Sequence, residues 1–116
     1  MVTPEAKVKK VVVQQLKLMG AYYFYPVTGG YGRSGVPDIV GCYAGKFFGI
    51  ECKAGKNKPT ALQQKNLEDI SKQGGLALVV NEHNMRDVGE WLVESTDVTS
   101  QLKWVLTGRQ DEEGSR

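Results

Sequence analysis

Asp38, Glu51 and Lys53 are the residues whose types and spacing in this 116-residue chain could do chemistry together. They flank a short hairpin: a strand over 37–43, a two-residue turn at Ala44-Gly45, and a strand over 46–53. With that turn, Tyr43 pairs with Lys46, Cys42 with Phe47, and Asp38 with Glu51. Directly opposed residues carry Cβ atoms about 4.5–5.5 Å apart on one face. Two opposed carboxylates repel unless a cation sits between them, and hard divalent cations such as Mg²⁺ take oxygen ligands of this kind. Lys53 lies two residues beyond Glu51 and shares its face. A slip of one residue would carry Asp38 to the other side of the sheet. The plain alternative is an exposed Glu51/Lys53 strand pair, with Asp38 merely following a turn proline. In the same register Cys42 and Cys52 point to opposite faces, so no disulfide is expected between them.

Gln63 adds a separate clue. At about 100° per residue, Gln63, Leu67, Ile70 and Gly74 fall on one helical stripe, so Gln63 points toward the sheet and Gln64 toward Glu68 and solvent. An inward polar group needs a partner; capping through Thr60 would also account for it. Glu5 in the first helical turn has a sufficient role in the helix dipole. His83 falls in a loop and reads as a surface residue.

Charge is unevenly distributed. Residues 1–65 carry ten Lys/Arg against three acids, and residues 66–116 carry five against ten, so the halves are +7 and −5. A basic half suits a polyanionic partner such as nucleic acid, although a lysine-rich solvated surface would look the same. Arg33, Lys56 and Lys58 are natural phosphate contacts. Tyr31 could stack on an unpaired base or simply pack on its own loop.

The elements that position these residues can be read in order. Thr3-Pro4 starts a helix with Val8, Val12 and Leu16 at helical spacing, and Gly20 ends it. A short aromatic strand spans 21–27. The segment 28–35 holds four glycines and lacks the ending of a phosphate-binding P-loop. After the hairpin comes the basic loop 54–59, then a helix begun by Thr60 and ended by Gly74-Gly75. The run 76–80 reads as a strand covered on both faces. Asn84, with Asp87, is expected to cap a third helix carrying Val88, Trp91 and Leu92. A last strand over 101–107 precedes a polar tail, 108–116, expected to be disordered. The order describes an α/β domain with a mixed sheet.

Val36-Pro37-Asp38, Ile50-Glu51-Cys52-Lys53 and Pro59-Thr60-Ala61-Leu62-Gln63 together resemble the PD-(D/E)XK nuclease signature. More narrowly, they resemble the VRR-NUC (virus-type replication-repair nuclease) domain. The resemblance runs from about Pro4 to Trp91. It implies a restriction-endonuclease-like αβββαβ core with a mixed central sheet flanked by helices, in a single domain over 1–107. It also implies hydrolysis of DNA phosphodiester bonds with Mg²⁺ or Mn²⁺. Asp38 and Glu51 would be the metal ligands, helped by the backbone carbonyl of Cys52. Lys53 would orient or help deprotonate the attacking water, Gln63 would hold a metal-bound water or Lys53, and Glu5 would be an additional acidic member. Stand-alone members resemble Holliday junction resolvases, which implies branched DNA and a homodimer. The aromatic run Tyr22–Tyr25 and Trp104 are candidate interface material, or else complete the core.

Three rival readings stay open: a non-catalytic DNA-binding module with a nuclease fold, a flap or nicking nuclease, and a small-molecule enzyme using Asp38 and Glu51 as an acid–base pair. The last gives Lys53 no role. Composition excludes other classes: no apolar run is long enough to span a membrane. Charges at Glu5, Lys7, Lys9 and Lys10 argue against a secretory signal, and two cysteines make neither a disulfide framework nor a zinc site. The expected setting is the cytoplasm, of a bacterial or phage-infected cell if the resemblance holds.

Overall fold

A computed structural model describes residues 2–27 and 32–96. The expected strand over 101–107, Trp104, Tyr31 and the tail 108–116 lie outside the described residues. The elements are α1 (Pro4–Met19), β1 (Tyr22–Phe24), β2 (Ile39–Tyr43), β3 (Lys46–Cys52), α2 (Ala61–Lys72), β4 (Leu76–Val80), a 3₁₀ turn (Met85–Asp87) and α3 (Val88–Glu94). This is the αβββαβ order of a restriction-endonuclease-like core, with α3 appended.

Each end of α1 has a chemical cause. The Thr3 side chain accepts a hydrogen bond from Ala6 N, Pro4 opens the first turn, and Gly20 at φ 74° turns the chain out of the helix. Val8, Val12 and Leu16 form its buried stripe. The hairpin closes through Ala44 (φ 50°) and Gly45 (φ 83°), both left-handed as a type I′ turn requires. That turn sets the register: Tyr43 opposes Lys46, Cys42 opposes Phe47, and Ile39 opposes Ile50.

The sheet order is β1-β2-β3-β4, antiparallel for the first two pairs and parallel for β3–β4, so the sheet is mixed. Alternation then divides the side chains between two faces. Ile39, Phe48, Ile50, Cys52 and Val80 join Val8, Val12, Leu16, Val88 and Leu92 in one core. The opposite face meets α2. Gly49 makes this approach possible: a Cβ there would stand 2.6 Å from Ile70 Cδ1 and 2.9 Å from Pro37 Cγ. Pro37 is therefore seated on β3, and Asp38 follows it directly.

Several elements depart from the sequence expectations. The first hairpin strand begins at Ile39 rather than Pro37, because Pro37 is used in packing and has no N–H for a ladder. The aromatic strand shrinks to three residues, Tyr22–Phe24, ahead of Pro26. Among the described residues β4 is the end strand of the sheet, and Val79 is 37% exposed, so β4 is not covered on both faces. Asn84 does not cap α3; its Oδ1 accepts from Asn81 N at 2.8 Å, closing the turn that leaves β4. No helix among the described residues is long and apolar enough to cross a membrane.

Candidate functional site

Asp38 and Glu51 meet where β2 and β3 part. The ladder's last pair is Ile39 with Ile50, and the next pair in that register is Asp38 with Glu51. Instead of pairing through backbone, the half-buried Asp38 turns its carboxylate in: Oδ2 accepts a hydrogen bond from Cys52 N at 2.8 Å. This occupies the β2-side donor of Cys52, while on β3's other edge Lys53 N donates to Val80 O at 2.8 Å. The end of β3 is thus held from both sides.

Glu51 is only 2% exposed. Lys53 Nζ stands 3.4 Å from its Oε2, a loose ion pair, with the lysine side chain 13% exposed. Glu51 Oε1 is buried and has no hydrogen-bond partner among the described residues. Burial and then the Asp38 charge push the Glu51 carboxyl up to about 7, against the pull of Lys53; Glu5 adds a smaller upward push across the site. The Cys52 thiol, on the core face, is pushed up to about 12 by burial and then by the Asp38 and Glu51 charges. Cys42 and Cys52 are both free thiols.

A buried carboxylate oxygen without a partner is costly in a folded protein. Here it sits beside a second carboxylate, with a third acid close enough to perturb it. A hard cation taking oxygen ligands would relieve the orphaned Glu51 oxygen and the Asp38–Glu51 repulsion, so this pair of carboxylates fits Mg²⁺ or Mn²⁺. Among the described residues no group of three or more His, Cys, Asp or Glu side chains is arranged to hold a metal by itself. Asp38 and Glu51 would therefore need backbone carbonyl or water oxygens to complete a coordination shell.

Gln63 is tied into the cap of α2. Its side chain accepts from Thr60 N at 2.9 Å while Thr60 Oγ1 accepts from Gln63 N at 3.2 Å, a complete capping box. It also lines a cleft of about 290 Å³ with Asp38, Lys9, Tyr25, Pro26, Gly35, Val36 and Pro37. Gln64 is exposed and reaches Glu68 at 3.4 Å.

The phosphate-contact candidates stand apart from this cleft. Arg33 is 62% exposed and bonds Asp69 on α2 at 2.8 Å. Lys56 and Lys58 are exposed on the loop after Lys53. That loop is fixed by Glu82, whose two carboxylate oxygens accept from Gly55 N at 3.0 and 3.1 Å.

Two contributors escaped sequence reasoning. Asn66 is 5% exposed, and its Nδ2 donates to Ser34 O at 3.0 Å and Leu62 O at 2.9 Å, pinning the segment before Asp38 to α2. The signal was present, since Asn66 lies three residues after Gln63 and four before Ile70 on the inward stripe. Lys9, at the rim of the cleft, stands over the Tyr25 ring at 4.2 Å; nothing in sequence spacing links those two residues.

No protein-family model matches the chain, and no curated protein matches it by sequence. Solved structures do match. A "VRR_NUC domain protein" superposes with a TM-score of 0.67 at 21% identity, over 84% of this chain and 93% of that one. A "VRR_NUC domain" superposes with a TM-score of 0.62 at 24% identity, over 80% of this chain and 97% of that one. The fold of this chain is the restriction-endonuclease-like fold of those two proteins.

Proposed function

We propose that this chain is a VRR-NUC-type nuclease of the PD-(D/E)XK superfamily, hydrolysing DNA phosphodiester bonds with Mg²⁺ or Mn²⁺. The observation that carries the reading is the buried Glu51 carboxylate: one oxygen unpartnered, the other loosely held by Lys53, and Asp38 beside it. Asp38, Glu51 and the Cys52 carbonyl would hold the metal, with Glu5 as a further acid. When bound, the metal would lower the pKa of water and neutralise phosphate charge. Lys53, already anchored on Glu51, orients the attacking water and offsets the charge that builds on the non-bridging oxygens. The water oxygen bonds to phosphorus and releases a proton to solvent, one P–O ester bond breaks, and the departing oxygen takes up a proton from solvent. Gln63 positions Lys53 or a water from the cleft wall.

The finer substrate reading is branched DNA cut by a homodimer. A four-way junction presents two equivalent strands, which an isologous dimer matches by symmetry. Exposed aromatics on β1 support it: Tyr22 is 70% and Phe24 49% exposed. Cleavage of duplex, flap and four-way junction DNA, with Mg²⁺ or Mn²⁺ and with EDTA, tests both levels. Metal-dependent cleavage of any of these supports the nuclease; none by wild-type protein overturns it in favour of a non-catalytic DNA-binding module. Sedimentation equilibrium tests the dimer. A species at the 12.8 kDa monomer mass with full junction cleavage would move the substrate to flaps or nicks.

A further inference from the structure

Of the lysines of α1, only Lys9 reaches the cleft described above. The helix carries four, Lys7, Lys9, Lys10 and Lys17, against one acid, Glu5. Among the described residues none of the four has a carboxylate within ion-pairing distance. Helix stability accounts for Lys17, a cation in the last turn, but not for Lys7 and Lys10. Lys7 and Lys10 are like charges one turn apart, and three of the four lie in the N-terminal half, where the helix dipole disfavours cations.

Geometry groups three of them. Lys9, Lys10 and Lys17 line a groove of about 490 Å³ whose far wall is Tyr25. Lys9 and Tyr25 also line the cleft that holds Asp38 and Gln63, so the groove and the cleft adjoin at the Lys9–Tyr25 contact. Lys10 and Lys17 are seven residues apart, about 10 Å along the helix axis, which is about three nucleotide steps of a B-form strand. The buried stripe of α1, Val8, Val12 and Leu16, is committed to the core, so this helix has no apolar face to lay on a lipid surface.

We propose that the outward face of α1, with Lys9, Lys10 and Lys17 facing Tyr25, is the track on which the nucleic-acid strand entering the Asp38 cleft lays its phosphate backbone. The inference rests on the nuclease reading and names the path by which that site receives its substrate. Lys10 and Lys17 neutralise successive stretches of backbone, and Lys9, steadied on the Tyr25 ring, hands the strand to the cleft. Affinity then comes from counterion release and is independent of base sequence.

The test measures binding and cleavage separately. Asp38→Asn protein is titrated by anisotropy with labelled four-way junction and labelled flap DNA of mixed sequence, across a salt series. Adding Lys10→Gln and Lys17→Gln should reduce the slope of log affinity against log salt by about two, as for two lost phosphate contacts. A Lys46→Gln, Lys72→Gln pair removes equal charge elsewhere and should leave the slope unchanged. In the cleaving protein the Lys10/Lys17 change should raise KM about tenfold or more at moderate salt. Equal slopes for the two double variants, or no DNA binding at all, would overturn the track. Wild-type protein that binds with the expected slopes yet never cleaves would overturn the nuclease reading and leave the track standing.

Discussion

Asp38 and Cys52 are joined by a hydrogen bond from the cysteine backbone N–H to the aspartate Oδ2, 2.8 Å long, across the open end of the hairpin. The bond fixes one oxygen of Asp38 on β3 and aims the carboxylate at Glu51. It also makes Asp38 a structural acceptor as well as a candidate ligand. Asp38→Asn retains an acceptor and removes the repulsion on Glu51; Asp38→Ala orphans the Cys52 N–H. Both should abolish cleavage, but the alanine variant should be less stable than the asparagine variant by about 1–3 kcal/mol in urea unfolding. Equal stabilities would mean that the bond is immaterial.

Glu51 makes stability depend on pH and metal together. Its carboxyl is raised from 4.5 to about 7 in the folded protein. The folded state therefore holds a proton that the unfolded chain has released, and stability falls as pH climbs from about 4.5 through 7, by about 3 kcal/mol in all. Without metal, Glu51→Gln should melt higher than wild type at pH 8 and close to it at pH 4. Mg²⁺ should raise the wild-type melting temperature at pH 8 and not at pH 5, where the proton occupies the oxygens the metal would take. A thermal-shift series across pH, with and without Mg²⁺, reads both effects.

Lys53 restrains Glu51 electrostatically and is assigned a part in the chemistry, so its removal should separate the two. Lys53→Ala relieves competition for Glu51 Oε2 and should bind Mg²⁺ at least as tightly as wild type by calorimetry. Turnover should nevertheless fall by about two to three orders of magnitude, the scale of losing one preorganised charge at a transition state. Metal affinity and turnover falling together would assign Lys53 to holding the metal site instead.

Gln63 needs a variant that preserves its cap. Gln63→Ala removes the acceptor for Thr60 N and should cost about 1 kcal/mol of stability as well as cleavage. Gln63→Glu keeps the capping box, so its melting temperature should hold while cleavage falls. Gln64→Ala, on the solvent side, should change neither beyond scatter. If Gln63→Glu cleaves like wild type, the side chain acts only as a cap.

The parts of this fold that were legible in the sequence are those fixed by local chemistry. Ala44-Gly45 supplied the hairpin register, and with it the Asp38–Glu51 juxtaposition. Thr3-Pro4-to-Gly20 bounded α1, and Thr60 with Gln63 bounded the start of α2. What was not legible depends on tertiary placement. Strand alternation puts Glu51 on a face but cannot reveal that tertiary packing buries it to 2% exposure. Asn84 has the right spacing for a helix cap, but the turn from Asn81 claims its side chain. Arg33 sits in a basic half, yet its partner Asp69 is 36 positions away on α2.

The type I′ turn also has a kinetic consequence. A two-residue loop closes fast, and the β2–β3 hairpin contains the most local strand pairing in the sheet, whereas β4 must wait for the α2 crossover. The hairpin zips from Ala44-Gly45 outward, and the last pair it brings together is the two acids. At neutral pH the final step of zipping therefore drives like charges into contact before the sheet that buries Glu51 is complete. Acid or Mg²⁺ in the refolding buffer should ease that step, so the repulsion between Asp38 and Glu51 is felt as the chain folds as well as in the finished fold.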